Sequence, residues 1–239
     1  MIAILLSLQL MHSHNDYAQK RPFDTAWENG FDSLEVDVFP VGGKLLVGHN
    51  EKDLSPDRTI QSMYLDRLVK IQREWNRMPL AGKRMRRWLL IDVKRDAKVA
   101  YQLLGDILSG YPELLESHDI RFVISGDRDV ESIIRDKGRF GGLDGRFPDL
   151  GKKYSFDQMP WVSADWSDYF KWKGVGPFPA DEAKKMKMLV DSVHKEHRLI
   201  RFWGSPDNAA SWEVQTHMRV DLINTDHLSD LATWRKQRK

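Results

Sequence analysis

Two strand-like segments of this chain carry acids where a buried strand would carry aliphatic residues. In Leu34-Glu35-Val36-Asp37-Val38, alternate residues face the same way. Leu34, Val36 and Val38 then face a helix layer, and Glu35 and Asp37 face the interior of a sheet closed on itself. Parallel strands buried on both faces are normally apolar throughout. Two neighbouring carboxylates repel each other and lose hydration. A bound cation relieves both costs, and hard ions such as Mg²⁺ or Ca²⁺ take oxygen ligands of this kind. Leu89-Leu90-Ile91-Asp92-Val93-Lys94 repeats the pattern. It supplies Asp92 as a third carboxylate and Lys94 as a point charge for an anionic group of a substrate. The competing reading is a structural salt bridge inside the barrel.

Histidines flank these acids. His12-Ser13-His14-Asn15-Asp16-Tyr17 follows the first apolar run, and His49 ends the run Leu45-Leu46-Val47-Gly48 after a Gly42-Gly43 turn. Both lie near loops at strand C-terminal ends, where barrel enzymes place their chemistry. Two histidines beside a metal-bound phosphate can divide the base and acid roles, while the metal neutralises and orients the phosphoryl oxygens. His12-x-His14 also suits a metal pair, as in an amidohydrolase-type hydrolase with more than one metal. Such a site needs further histidines at later strand ends. His118, His194, His197 and His217 instead fall on expected helices or their ends, and His227 stands alone. A third reading, a non-catalytic barrel that binds a phosphorylated ligand, predicts a damaged site, yet no member of the set is missing. Ser125-Gly126-Asp127, Ala164-Asp165-Trp166, Trp203 and Asp226 are weaker candidates for pocket residues. Trp203 would pack beside a substrate or fill the barrel mouth. Asp226 would orient a ring or cap the last helix, and capping is the favoured expectation.

The elements that must position these residues follow from the same patterning. Apolar runs at Leu10–His12, 34–38, 89–93, 122–125, 141–143, 161–164, 200–203 and 222–224 alternate with helical stretches at 22–28, 60–75, 97–108, 130–135, 181–196, 208–217 and 228–235. Eight strands alternating with helices favour a closed parallel barrel, a single TIM-type (β/α)8 domain over residues 1–239. The irregular aromatic stretch Asp168–Pro179 is a candidate lid or substrate wall, with packing into the core as the competing reading. The apolar Met1–Leu10 reads as a first barrel strand, with a shortened or remnant export signal as the rival, so localisation stays open.

Composition limits the partners. With 37 basic and 35 acidic residues the formal charge is only +2, which gives no electrostatic case for nucleic acid. Zero cysteines exclude thiol catalysis, disulfides and thiolate zinc sites. No apolar run approaches the roughly 20 residues of a transmembrane helix. Oligomeric state is not legible.

Taken in order, His14-Asn15, Glu35-x-Asp37, His49 and Asp92-x-Lys94 resemble the PLC-like phosphodiesterase superfamily, which includes glycerophosphodiester phosphodiesterases. HSHNDY, with RPFDTAWENGFDSLEVDVF and KLLVGH after it, is similar to the HxHNDY branch of the altered-inheritance-of-mitochondria family. The segments Pro56–Leu65, Arg201–Gly204 and Val220–Asp226 fit as well. The resemblance implies a TIM-type barrel and one divalent cation, Mg²⁺ or Ca²⁺, bound by Glu35, Asp37 and Asp92 with help from Asn15. It implies that His14 and His49 are the acid–base pair and that the substrate is a small-molecule or lipid phosphodiester. Glycerophosphodiesterases usually carry His-Arg-Gly where this chain has His14-Asn15-Asp16. Phosphate binding then falls to Lys94, joined by His12 or Arg21, with Trp203 beside the substrate.

Overall fold

The computed structural model describes residues 9–77, 86–138 and 140–238. All eight expected strands form, and a ninth joins them. They are β1 (Leu10–Ser13), β2 (Ser33–Val41), β3 (Lys44–Val47), β4 (Arg87–Val93), β5 (Ile120–Gly126), β6 (Gly141–Gly145), β7 (Trp161–Asp165), β8 (Leu199–Trp203) and β9 (Leu222–Thr225). Seven parallel pairings run from β1 through β9, β8, β7, β6, β5 and β4 to β2, and an eighth, β1 to β2, closes the ring. This is the TIM-type barrel. Strand β3 lies outside the ring. It pairs antiparallel with the far end of β2, Val38 opposite Val47, through the Gly42-Gly43 turn. Both glycines have positive φ (55° and 74°), as a tight two-residue hairpin turn requires. The short apolar run before His49 is therefore a hairpin arm.

The helical layer comprises α1 (Asp24–Glu28), α2 (Asp66–Arg77), α3 (Ala97–Leu108), α4 (Pro112–Leu115), α5 (Val130–Arg135), α6 (Trp166–Tyr169), α7 (Ala180–His194), α8 (Ala209–His217) and α9 (Leu228–Lys236). The expected helix at 60–75 is a π-helical turn, Gln61–Leu65, running into α2. The one-turn helices α4 and α6 have no periodic signature. Each is set by its first residues, Pro112 at the start of α4 and the Asp165 side chain accepting from Ser167 N in α6. The strand expected within the apolar start is β1, which begins at Leu10; residues 1–8 lie outside the described residues.

Alternation sorts the strand residues into two cores. Val36, Val38, Ile91, Val93, Phe122, Ile124, Val162, Phe202 and Ile223 face the helices and belong to the main apolar cluster. Trp88, Leu90, Val123, Trp161 and Leu222 form a second cluster, from the inward-facing positions near the strand starts. Above that plug the inward positions turn polar: His12, Ser33, Glu35, Asp144, Ser163, Arg201 and Asn224 are all buried. The barrel is sealed at its N-terminal end and chemically equipped towards its C-terminal end.

The aromatic stretch after β7 is neither a lid nor a substrate wall. Phe170 and Trp172 are buried, and Phe170 packs on Phe202 with ring centroids 5.4 Å apart, while Trp172 packs on Phe178 at 5.1 Å. These rings fill the space between β8 and the helices.

Gly126, the last residue of β5, has φ +72°. A Cβ there would collide with the Val93 carbonyl and approach Asp92 Oδ1 to 2.8 Å. Gly126→Ala is expected to lower the unfolding free energy by about 2–4 kcal/mol, through the left-handed conformation and this clash together. Urea denaturation measures it, and a loss under about 0.5 kcal/mol would contradict the described packing.

Candidate functional site

Immediately after β1 the chain reverses. Asn15 takes the left-handed conformation (φ 45°, ψ 42°), which asparagine tolerates better than most residues. A single 3-10 turn, Asp16–Ala18, follows. Asp16 is fully buried and accepts from Ser13 Oγ (2.8 Å), Phe23 N (2.7 Å) and Tyr64 OH (2.9 Å). This knot pins the loop that carries His14, Asn15 and Tyr17.

The loop, the β2–β3 hairpin and the ends of β4, β5, β6 and β8 enclose a cavity of about 280 Å³. It is lined by His14, Asn15, Glu35, Asp37, His49, Asp92, Lys94 and Trp203, together with Ser125, Gly126, Arg146 and Arg201. Eight of the nine residues expected from sequence thus line one space. The ninth, His12, does not reach it. Its ring has no exposed surface, and its two nitrogens meet Ser33 Oγ (2.8 Å) and Glu35 Oε2 (2.7 Å) beneath the floor. Burial first and the Arg201 charge second push its pKa down to about 4, so the ring is neutral. Expected as a phosphate contact, His12 is instead a support for Glu35. Arg21, also expected near phosphate, is engaged with Glu28.

Glu35 is held from across the barrel. Arg201 Nη1 donates to Glu35 Oε2 (2.7 Å) and lies 3.2 Å from Asn224 Oδ1, while its Nε donates to Ser163 Oγ (3.1 Å). Burial opposes ionisation of Glu35, but the charge of Arg201 and the His12 contact outweigh it and hold the carboxyl well below the usual range. Asp37 receives the Tyr17 hydroxyl (2.7 Å) and lies 3.2 Å from His49 Nδ1. The same hydroxyl is within 2.9 Å of Asn15 Oδ1 and 3.2 Å of His49 Nδ1. Lys94 Nζ bridges Asp37 Oδ2 and Asp92 Oδ2, each at 3.1 Å. For Asp92, burial and then the charges of Glu35 and Asp37 prevail over Lys94 and push its pKa up to about 6.

His14 Nδ1 lies 2.9 Å from Asp226 Oδ1. Burial lowers the pKa of this imidazole, but the Asp226 hydrogen bond and the Glu35 charge together exceed that effect and raise it. The ring-orienting role of Asp226 is the one observed. The residue before α9 is His227, and no side chain caps that helix. His49 stands at the rim with 60% of its side chain exposed. Trp203 closes the other side, also partly exposed. Asp127 caps the start of α3 through Ala97 N, at 3.0 Å. The histidines a multi-metal site would need are elsewhere; His194, for example, pairs with Asp221 at 2.8 Å.

Among the described residues no three His, Asp or Glu side chains stand in a metal-holding arrangement. Lys94 lies between two of the acids and Arg201 occupies the third. Two observations nevertheless suit a hard cation. Asp37 Oδ1 is buried with no hydrogen-bond donor. The Asp92 carboxyl, whose pKa is raised first by burial and then by the charges of Glu35 and Asp37, is also a group whose ionised form a cation would favour.

Tyr17, Arg146 and Arg201 are the site residues that sequence reasoning missed. Arg201 occupies an inward position of β8 between outward Ile200 and Phe202, so the alternation that exposed Glu35 carries the same signal there. Tyr17 lies within HSHNDY but has no periodicity to mark it. Arg146, paired with Asp144 at 2.9 Å, follows a glycine-rich strand that has none either.

Known proteins share this fold and much of this sequence. A protein from Arthroderma benhamiae, an altered inheritance of mitochondria protein 6 homolog, is 35% identical to this chain over 92% of it and 81% of the relative. The chain belongs to this family. The altered inheritance of mitochondria protein 6 of Saccharomyces cerevisiae strain S288c is 27% identical, covering 91% of this chain and 68% of the relative. An AIM6-like phosphodiesterase domain profile matches residues 6–114, the stretch that carries every expected site residue except Trp203. A glycerophosphodiester phosphodiesterase from Parabacteroides distasonis superposes with a TM-score of 0.60 at 14% identity, over 97% of this chain and 98% of that one. A solved chain from Agrobacterium tumefaciens gives 0.56 at 10%, over 96% and 98%. At such identities the likeness is one of fold. No helix among the described residues is long and apolar enough to cross a membrane.

The raised Asp92 pKa has a sign that can be tested. An acid whose folded pKa exceeds its unfolded value binds its proton more tightly when folded. Its contribution to stability therefore falls as pH rises from about 3.8 to about 6. Neutral His12 works in the opposite direction over an overlapping range, so the comparison must be between variants. With chelator present, Asp92→Asn should gain on the parent by up to about 3 kcal/mol between pH 4 and 6. Denaturant titrations at several pH values test this, and a pH-independent difference would refute the assignment.

Proposed function

We propose that this family member hydrolyses phosphoric diesters by acid–base catalysis with a divalent cation in the cavity. The observation that carries the reading is the meeting of His14, His49, three carboxylates and Lys94 in one cavity at the C-terminal end of the barrel. The family's phosphodiesterase domain profile supports the reaction class. Glu35, Asp37 and Asp92, with Asn15 Oδ1, would hold Mg²⁺ or Ca²⁺, for which the unpartnered Asp37 Oδ1 is the best-placed donor. When bound, the cation neutralises and orients the phosphoryl oxygens.

The chain's own groups divide the remaining work. His14 has its Nδ1 on Asp226, so Nε2 is its reactive nitrogen. The raised pKa keeps the ring protonated further towards neutrality, which suits a general acid for the leaving oxygen. His49, whose Nδ1 faces Asp37 and Tyr17, has its Nε2 free to take a proton from the attacking hydroxyl, supplied by water or by the substrate itself. Lys94 binds a non-bridging phosphoryl oxygen as a point charge. Trp203 offers an apolar wall to the leaving group. A glycerophosphodiester or phospholipid-type substrate fits this arrangement.

The direct test is hydrolysis of bis(p-nitrophenyl) phosphate by chelator-stripped protein before and after Mg²⁺, Ca²⁺ or Mn²⁺ is restored. Metal should restore turnover in the parent and not in Glu35→Ala, and metal-independent hydrolysis would remove the cation from the scheme. His14→Ala and His49→Ala should each lose about 10²–10⁴-fold in kcat with little change in metal affinity. Full activity in either would refute its role.

The Asp226 contact makes a pH prediction. As a general acid, His14 must be protonated, so activity is lost as pH rises through its pKa. That alkaline limb should lie above pH 6.5, the ordinary imidazole value, and move down in Asp226→Asn. A pH–kcat/KM profile reads it, and an unmoved limb would assign the acid to another group.

A further inference from the structure

A second cavity, about 250 Å³, lies at the N-terminal end of the barrel, where β4, β5 and β6 begin and the chain enters β7. Its walls include Trp88 and Phe156, packed edge to face with centroids 6.3 Å apart. Its polar lining is Arg121, Lys137 and Asp157. Along β5, Arg121 shares the inward side with Val123 and Ser125, so its guanidinium stem enters the barrel mouth below the apolar plug. Arg121 Nε is buried and has no acceptor. Leaving such a donor unpaired costs about 1–3 kcal/mol. Arg121, Lys137 and Asp157 line the cavity without an ion pair to any described residue. Among the described residues the lining therefore holds two cations and one anion, together with an exposed edge of Phe156. Gly142 completes the shape. A Cβ there would come within 2.7 Å of Pro160 and 2.9 Å of the Asp157 carbonyl, so backbone approaches the wall closely.

We propose that this cavity is a second binding site, independent of the hydrolytic one, for a small aromatic monocarboxylate. The carboxylate would accept from the terminal Nη groups of Arg121, and the ring would lie against Trp88 and Phe156. A single negative charge balances the lining, while Asp157 repels a dianion. Burial of a flat ring against two aromatic side chains supplies the apolar part of the affinity. The site's position at the far end from His14 and Lys94 lets a small molecule bind there without competing for the other cavity.

Nuclear magnetic resonance tests this on the whole chain, following the Trp88 indole N–H, assigned with Trp88→Phe. Benzoate should shift that resonance saturably in the millimolar range, as a ligand of so few atoms would. Phenyl phosphate, a dianion at pH 8, should bind several-fold more weakly. Arg121→Met should weaken benzoate at least about fivefold and Asp157→Asn should close the gap between the two ligands, while Lys94→Met should leave benzoate binding unchanged. Either Arg121→Met or Asp157→Asn can decide the matter if the other fails to fold. The proposal is overturned if benzoate gives no saturable shift up to about 50 mM, if Arg121→Met binds it equally well, or if phenyl phosphate gains nothing in Asp157→Asn. It is also overturned if Lys94→Met abolishes binding, which would place benzoate in the catalytic cavity.

Discussion

Charge buried inside a closed barrel must be balanced there, because no water is at hand to do it. In this protein the Glu35–Arg201 ion pair carries that constraint, spanning the interior from β2 to β8. An unpaired carboxylate at that depth would cost several kcal/mol or take up a proton. Arg201 keeps Glu35 ionised, and in doing so it needs Ser163 and Asn224 for its own remaining donors. His12 fits the same pattern as a neutral ring wedged against Glu35. Below this layer Trp88, Leu90, Val123, Trp161 and Leu222 exclude solvent from beneath, which makes each polar contact above them stronger. A buried pair is weak evidence for stability, and here it serves to aim a carboxylate upwards.

The two histidines arrive by different devices. His14 comes with a loop fixed from beneath by Asp16, whose carboxylate is filled by donors from three separate segments. His49 comes on an antiparallel arm folded back along β2 by two glycines. These devices meet at Tyr17, whose hydroxyl lies within hydrogen-bonding reach of Asn15, Asp37 and His49. The hydroxyl has one proton, and its shortest contact is with Asp37, so it serves the other two as an oriented dipole or an acceptor. Its pKa is pushed up by burial and by Asp37, which keeps it a phenol throughout the working range. The loop and the hairpin are thus coupled through Tyr17, whose hydroxyl reaches His49 directly.

Much of this was legible in the chain alone because strand geometry is periodic. A two-residue repeat makes Glu35, Asp37 and Asp92 conspicuous among Val and Leu, and eight such runs separated by helical stretches leave little room for any fold but the barrel. Local chemistry fixed the Gly42-Gly43 turn as well. Sequence spacing has no access to depth along the barrel axis or to which residues meet across it. Only closure of the sheet decided that His12, two residues from His14, sits below the floor while His14 lines the cavity. Closure also decided that Arg201, 166 positions from Glu35, is its partner. The aromatic stretch after β7 could not be placed because hydrophobicity is non-directional: the same rings suit a lid or a core, and the space left between β8 and its helices settled the matter. Asp226 likewise satisfies a helix cap or an imidazole, and the nearness of β1 and β9 brought the imidazole into reach. Residue type and period determined what chemistry the interior carries; the tertiary structure decided the partners, since those contacts join residues far apart in the chain.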